Sequence, residues 1–264
     1  MLVTGAASGL GAALTAQLRS RGAVVLATDA RADAGWDGDE AGVVRRLDVT
    51  SDDDWTAAAE WVDRSWDGLD VLVNNAGVAG GGRLDRTTLE DWRWIFDVNL
   101  YGAVRGIRTF TPVFKQQRSG RVVNVASLAA LVHPAGMGSY NAVKAALLAL
   151  TETVGHELAA YGVTAHAVCP SYFRTNLMDS MRGADEAVGR VMSDLVTSAP
   201  LGADDIAEAV LAALDAGDEL ILPDPAARAA YDLKTTDRAT YDEVMRAQAR
   251  KLDAAARAVE GDDQ

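Results

Sequence analysis

A single cysteine, Cys169, among 264 residues leaves this chain no internal disulfide and no cysteine-cluster metal site. That usage fits a reducing compartment. Histidine is scarce too: only three are present, and His156 and His166 lack a second ligand at metal spacing, so both read as structural and no metal is expected. Positive charge is in deficit, with 25 Lys and Arg against 38 Asp and Glu and a formal net charge of −13. That balance argues against nucleic acid or an anionic membrane surface as a partner. No uncharged apolar run approaches the roughly 18 residues of a membrane span, and no basic-then-apolar leader precedes the first motif. The expected location is the cytoplasm. The length suits one α/β domain with a large core, so residues 1–264 read as a single unit. Only Met1, Leu2 and Val3 remain for a first strand, which points to a clipped start.

Glycine, by contrast, is concentrated where it counts. The run Thr4-Gly5-Ala6-Ala7-Ser8-Gly9-Leu10-Gly11 lies where a first strand hands over to a first helix, Ala12 to Arg21. Glycines so spaced let the backbone bend sharply and approach a phosphate, while the helix N-terminus presents its N–H groups to the anion. A glycine run alone is also compatible with an ordinary tight turn. Here an apolar run, Ala23 to Thr28, follows and closes on Asp29, 18 positions after Gly11. Strand, glycine turn, helix, strand and acid form a dinucleotide-binding βαβ unit, with the acid placed for the adenosine ribose hydroxyls.

Further along, apolar runs alternate with segments of helical period. A polar loop from Ala30 to Glu40 leads to a strand at Val43–Leu47, and Asp52–Trp66 reads as an amphipathic helix with acids in its first turn. Strands are expected at Leu69–Val73, Arg121–Ala126, Val163–Val168 and Glu219–Leu222. Helices are expected at Leu89–Phe96, Asp97–Gln117, Ser139–Ala160 and Asp204–Ala216, with a helical tail over residues 224–264. The alternation predicts a Rossmann-like, doubly wound sheet of about seven parallel strands with helices on both faces, its ligand crevice at the strands' C-terminal ends.

Tyr140 and Lys144 stand four apart, on one face of the long helix. A free phenol has a pKa of about 10, too high for a base at neutral pH, and a cation nearby favours the phenolate. Thirteen residues upstream, Ser127 ends a strand, where its hydroxyl could share a substrate oxygen with the tyrosine. Each part alone arises readily by chance. Behind a dinucleotide turn, the combination exceeds what chance readily supplies.

Taken in order, TGAASGLG, Asp48-Val49, the NNAG at 74–77, Asn99, Ser127, Tyr140 with Lys144, and the segment Pro170 to Thr175 resemble the short-chain dehydrogenase/reductase family, in its compact branch. The resemblance spans nearly the whole chain. It implies that Tyr140 is the acid/base, that Ser127 polarises the substrate oxygen, and that Lys144 lowers the tyrosine pKa and holds the nicotinamide ribose. Asn99 would hold a water in a proton relay. Gly5, Ser8, Gly9, Leu10 and Gly11 would cradle the cofactor phosphates, Asp29 the ribose, and Asp48 and Val49 the adenine. Asn75, Ala76 and Gly77 would support the central strand beside the cofactor, with Pro170, Phe173 and Thr175 on the nicotinamide side. One departure is Ser171, where the family has glycine, and a side chain there is expected to narrow the site.

Segment 171–199 would be the substrate lid, although its apolar spacing is also that of ordinary core packing. Cys169 reads as a small buried residue and His133 as a surface-loop residue near the substrate. The small or apolar residues Ala103, Val104 and Ile107, and Ala142, Ala145, Ala146, Leu148 and Ala149, cover more than one helix face. A helix so patterned is buried on both sides, and the resemblance implies that these two helices form the main contact of a homodimer or homotetramer. The expected activity is NAD-dependent hydride transfer to or from an apolar secondary alcohol or ketone. An NADPH-dependent ketoreductase is kept open by Arg31, and a non-catalytic dinucleotide-binding regulator is the third reading. Sugar epimerases of the extended branch differ in glycine spacing, and enoyl reductases space their Tyr and Lys more widely.

Overall fold

In the computed structural model, residues 1–33, 44–182 and 185–262 are described. The strands are β1 (Leu2–Thr4), β2 (Leu26–Asp29), β3 (Val44–Arg46), β4 (Val71–Asn74), β5 (Gly120–Val125), β6 (Val163–Val168) and β7 (Leu220–Ile221). All pair in parallel, in the spatial order β3-β2-β1-β4-β5-β6-β7. The helices are α1 (Gly9–Ser20), α2 (Asp52–Ser65), α3 (Leu89–Phe96), α4 (Gly102–Gln117), α5 (Gly138–Leu158), α6 (Glu186–Thr197), α7 (Ala203–Ala216), α8 (Pro225–Thr236) and α9 (Arg238–Asp262). The expected doubly wound sheet is present. No helix among the described residues is long and apolar enough to cross a membrane.

Strand alternation divides the core into two layers. Leu2, Leu26, Leu72 and Val122 face one way, onto Trp55 of α2, Phe110 and Phe114 of α4, and Val154 of α5. Their neighbours Val3, Ala27, Val73 and Val123 face the other way, onto Leu10 and Leu14 of α1 and Ile206 and Val210 of α7. Strands buried on both faces read as continuous apolar runs, because successive side chains enter opposite layers. The strand order reverses beside β1, where chain direction leaves a crevice at the carboxyl ends.

Element boundaries move for identifiable reasons. Leu69 stays outside β4 because the Gln117 side chain takes both its backbone groups, accepting its N–H at 2.8 Å and donating to its carbonyl at 3.0 Å. The expected helix from Asp97 to Gln117 opens with a π-helical turn, Asp97–Tyr101, before α4 begins. Such turns interrupt the regular helix and often sit at functional sites. Most of the polar loop expected over Ala30 to Glu40, and Val43 of the expected third strand, lie outside the described residues.

The tail, α8 and α9, folds back over the carboxyl end of the sheet. Asp224 caps α8 by accepting the Ala227 N–H, and α9 lies against α6. Lys234 donates to the Leu131 carbonyl, and the Tyr241 hydroxyl accepts the His133 N–H at 3.1 Å. These contacts tie the tail to the loop leading into α5.

Candidate active site

The turn between β1 and α1 is compressed to the limit glycine allows. A Cβ on Gly11 would lie 2.2 Å from the Gly5 carbonyl oxygen. Gly9 holds a φ of 55°, and a Cβ there would meet the Thr175 hydroxyl at 2.7 Å. The turn is braced from behind: Asn75 Nδ2 donates to the Thr4 and Gly5 carbonyls, and the Thr4 hydroxyl accepts the N–H groups of Asn75 and Ala76. The segment at 74–77 therefore supports the glycine turn as well as β4.

At the tip of β2, the buried Asp29 carboxylate accepts N–H groups from Ala7 at 3.2 Å and Arg31 at 3.0 Å. Arg31 Nε also bonds Asp29 at 3.2 Å, while its Nη2 reaches the Ser8 hydroxyl at 3.0 Å. Asp48 closes its own turn by accepting the N–H and hydroxyl of Thr50, and Val49 follows it on the cavity wall.

Beyond β5, Ser127 accepts the Ala129 N–H at 3.1 Å and hydrogen-bonds the Tyr140 phenol. Lys144 is buried and donates to the Val125 carbonyl at 2.9 Å, with its ammonium 5.7 Å from the centre of the Tyr140 ring. Burial pushes the Lys144 pKa down to about 8. Burial likewise pushes the Tyr140 pKa up to about 12, with the Ser127 bond opposing it and Tyr172 and Cys169 adding to the rise. This departs from the expectation that Lys144 lowers the tyrosine pKa. In the protein itself desolvation of the phenolate dominates.

Asn99, on the π-helical turn, pairs its amide with both backbone groups of Val78, at 2.7 and 2.9 Å. The amide thereby fixes the backbone beside Gly77. A Cβ on Gly77 would lie 3.1 Å from Asn99 Oδ1 and 3.7 Å from Lys144 Nζ, so the three residues converge. Ser171 lines the cavity, but its hydroxyl donates to Asp224 at 2.6 Å and its N–H at 2.9 Å, so its side chain is tied to the tail. Arg174 faces away, onto the carbonyls of Ala199 and Pro200. His133 lies outside the cavity on the exposed loop, and His166 is buried between Thr164 and the Asp218 carbonyl. The Cys169 thiol is buried and its pKa is pushed up to about 12, which leaves it inert.

One cavity of about 1270 Å³ runs from the glycine turn to α6. It is lined by every predicted site residue except Gly11, packed beneath the turn, and Asn99, behind Val78. A glycine cradle with no room for a side chain, an acid at the tip of β2 and a cavity of this size fit a nicotinamide dinucleotide. Among the described residues no group of three or more His, Cys, Asp or Glu side chains is placed to hold a metal.

A family model for short chain dehydrogenases matches residues 1–186. The chain belongs to that family. A 3-alpha-(or 20-beta)-hydroxysteroid dehydrogenase of Mycobacterium tuberculosis is 34% identical over 183 residues, 67% of this chain and 70% of the relative. A short-chain dehydrogenase/reductase of Burkholderia phymatum, solved in complex with NAD, superposes with a TM-score of 0.80 at 32% identity, covering 89% of this chain and 92% of the other. A short chain dehydrogenase of Burkholderia cenocepacia, solved with NADP, gives 0.76 at 29% identity over 92% and 96%.

This short-chain dehydrogenase is thus an oxidoreductase of CH–OH groups that uses a nicotinamide cofactor on a small-molecule substrate. Sequence reasoning missed part of its cavity wall. Trp94, Met245, Gln248, Lys251 and Leu252 all line it, the last four from α9. No local motif marks them: Trp94 comes in from α3, and the other four only because the tail folds back onto the cavity.

The buried ammonium makes a prediction about stability. Lys144 has a lowered pKa, about 8 against 10.5. Between those values the unfolded chain holds the proton and the folded one does not, so stability rises with pH. Tyr140 acts in the opposite sense only above its unfolded value of 10.0. The unfolding free energy of the wild type, measured in urea relative to Lys144→Met, is expected to rise by on the order of 2 kcal/mol from pH 8 to pH 10. A flat difference would show that the ammonium is not desolvated.

Proposed function

We propose that this enzyme interconverts an apolar secondary alcohol and its ketone with a preference for NAD. The observation that carries the reading is the convergence of Ser127, Tyr140 and Lys144 in the cavity that also contains the glycine turn and Asp29. A nicotinamide held along that turn supplies hydride acceptance or donation. Pro170, Phe173 and Thr175 would flank it, and Lys144 and Asp29 would each hold a ribose. Tyr140 takes or gives the proton at the substrate oxygen, and Ser127 shares that oxygen through its hydroxyl. A phenol with its pKa pushed up to about 12 is protonated at neutral pH, the charge state for protonating a carbonyl.

The substrate end is walled by Val78, Leu128, Met137, Phe173, Leu177 and Met181. Such walls gain roughly 25 cal/mol per Å² of apolar surface buried, which favours a bulky hydrophobic substrate over a small polar one. Methionines let the wall adapt to several shapes. The activity named for the mycobacterial hydroxysteroid dehydrogenase is in keeping with this. We take residues 171–199 as the lid and 224–264 as the tail that backs it, within one domain, and we place the enzyme in the cytoplasm.

For the cofactor, Asp29 repels a 2′-phosphate and suits a ribose diol, which supports NAD. The alternative is an NADPH-dependent ketoreductase, and it draws on Arg31, whose guanidinium spans Asp29 and Ser8 at the same corner. Solved relatives carry either cofactor. We further infer a homodimer or homotetramer built on α4 and α5, where Leu148 and Leu150 are only half buried in the single chain.

Three measurements test this reading. Tyr140→Phe should keep its fold and nucleotide affinity yet lose about 10² to 10⁴ in turnover of cyclic secondary alcohols. Near-normal turnover in that variant would remove the mechanism. Asp29→Ala leaves Arg31 beside the ribose without its carboxylate, so the efficiency ratio of NADPH to NADH should rise about tenfold or more. A wild type that already works as well with NADPH overturns the NAD assignment. Light scattering at micromolar concentration should give a dimer or tetramer, and a monomer would refute the association.

A further inference from the structure

Proton transfer by Tyr140 and Ser127 accounts for one substrate oxygen. A second hydroxyl enters the same cavity from Tyr172. The backbone leading into it is anchored twice: the Pro170 carbonyl accepts the Leu128 N–H at 2.8 Å, and Ser171 is doubly bonded to Asp224. The place of the phenol is set by what its oxygen meets.

Its aim is toward sulfur. Tyr172 Oη lies 3.6 Å from Met137 Sδ and 3.4 Å from Met192 Sδ. Both methionines belong to the apolar cluster that contains the Tyr140 ring. A thioether is a weak acceptor, and one hydroxyl proton cannot serve two of them at once. Among the described residues no N–H or O–H group donates to Tyr172 Oη, so its acceptor capacity is unused. Burial raises the pKa of this phenol, which keeps it a neutral group able both to donate and to accept. The apolar cluster at Met137 and Met192 thus faces a strong, poorly matched polar group, and such a group is tuned to a ligand that brings the partner.

We propose that Tyr172 is a specificity-determining residue whose hydroxyl binds a second substrate oxygen, so the preferred substrate is an apolar skeleton bearing a further hydroxyl or carbonyl beyond the reacting carbon. This rests on the alcohol/ketone reading and narrows it. A monofunctional alcohol leaves the hydroxyl on its sulfurs. A dioxygenated one replaces a weak contact with a full hydrogen bond in a desolvated site, and sites built this way discriminate strongly against the analogue lacking the group.

The test is a matched series, cyclohexanol against the 1,2-, 1,3- and 1,4-cyclohexanediols, read as turnover with NAD and as calorimetric binding to the enzyme–NADH complex, which cannot oxidise them. The wild type should favour at least one dioxygenated member about tenfold in kcat/KM and in affinity. In Tyr172→Phe that ratio should fall about 3- to 10-fold, through KM rather than kcat. A ratio unchanged by the substitution, or no preference in the wild type, overturns the proposal. Calorimetry separates it from the reaction assignment: a Tyr172-dependent binding preference without turnover upholds the anchor and refutes the dehydrogenase chemistry. Turnover with equal binding of all members does the reverse.

Discussion

The seating of α5 on β5 is the constraint from which the catalytic end follows. Lys144 is a buried ammonium with no carboxylate partner among the described residues, and its bond to the Val125 carbonyl is what makes its position tolerable. Hydrogen bonds to charged groups contribute about 1.5–3 kcal/mol, and an unpaired buried charge costs more than that. Val125 ends β5 and Ser127 lies two residues on, so the same strand register that provides the lysine's acceptor also sets the serine. A second tie runs parallel through the core: Asn74 donates to Asn124, Asn124 to Thr151, and Thr151 to the Leu147 carbonyl. Slipping α5 by one turn would break both ties and leave buried polar groups unpaired. The helix has one position, and Tyr140 is carried by it.

The cofactor end relies on a different economy, that of space. Gly11 and Gly9 leave no volume for side chains, and the turn they form would be free to relax without Asn75 and Thr4 beneath it. At its rim, Arg31 partly neutralises Asp29 while also engaging Ser8. An exposed arginine against a buried carboxylate is a weak contributor to stability. Under the proposed NAD preference its consequence is for selectivity, because a corner set against a second phosphate would also hold the charge that welcomes it.

Much of this was legible because the fold writes its strands and turns locally. Leu2-Val3, Leu72-Val73 and Val122-Val123 are adjacent apolar pairs that enter opposite core layers, so a parallel sheet could be read without any tertiary knowledge. The residues Gly9, Ser127, Tyr140 and Lys144 sit at strand ends or on one helix face, where spacing alone brings them together. What could not be read depends on partners far away in the chain. Gln117 trims β4 from 48 residues downstream, and Ser171 turns to Asp224 across 53. The pKa of Tyr140 is likewise a property of its burial, which no four-residue spacing encodes. Asn99 was found by its motif, but its bonds to Val78 come from the π-helical turn that interrupts the expected helix.

The distance between catalysis and recognition along the chain has a physical origin. Every group proposed to touch cofactor or reacting oxygen lies before residue 176, on elements fixed by the sheet. The substrate wall is completed by α6 and by Met245, Gln248, Lys251 and Leu252 of α9, after residue 186, where the family match ends. Those helices cannot add strands, so they are held by side-chain clasps: Ser171 to Asp224, Tyr241 to the His133 backbone, Lys234 to Leu131. Each clasp grips Ser171 or the loop before α5 and avoids the residues proposed to be catalytic. A tail attached this way can change its cavity-facing residues without disturbing the register that places Tyr140. Tyr172 stands at the junction, one residue from the Ser171 clasp and inside the catalytic cavity. It is the position where a change in the tail's grip would be felt by the substrate before it was felt by the chemistry.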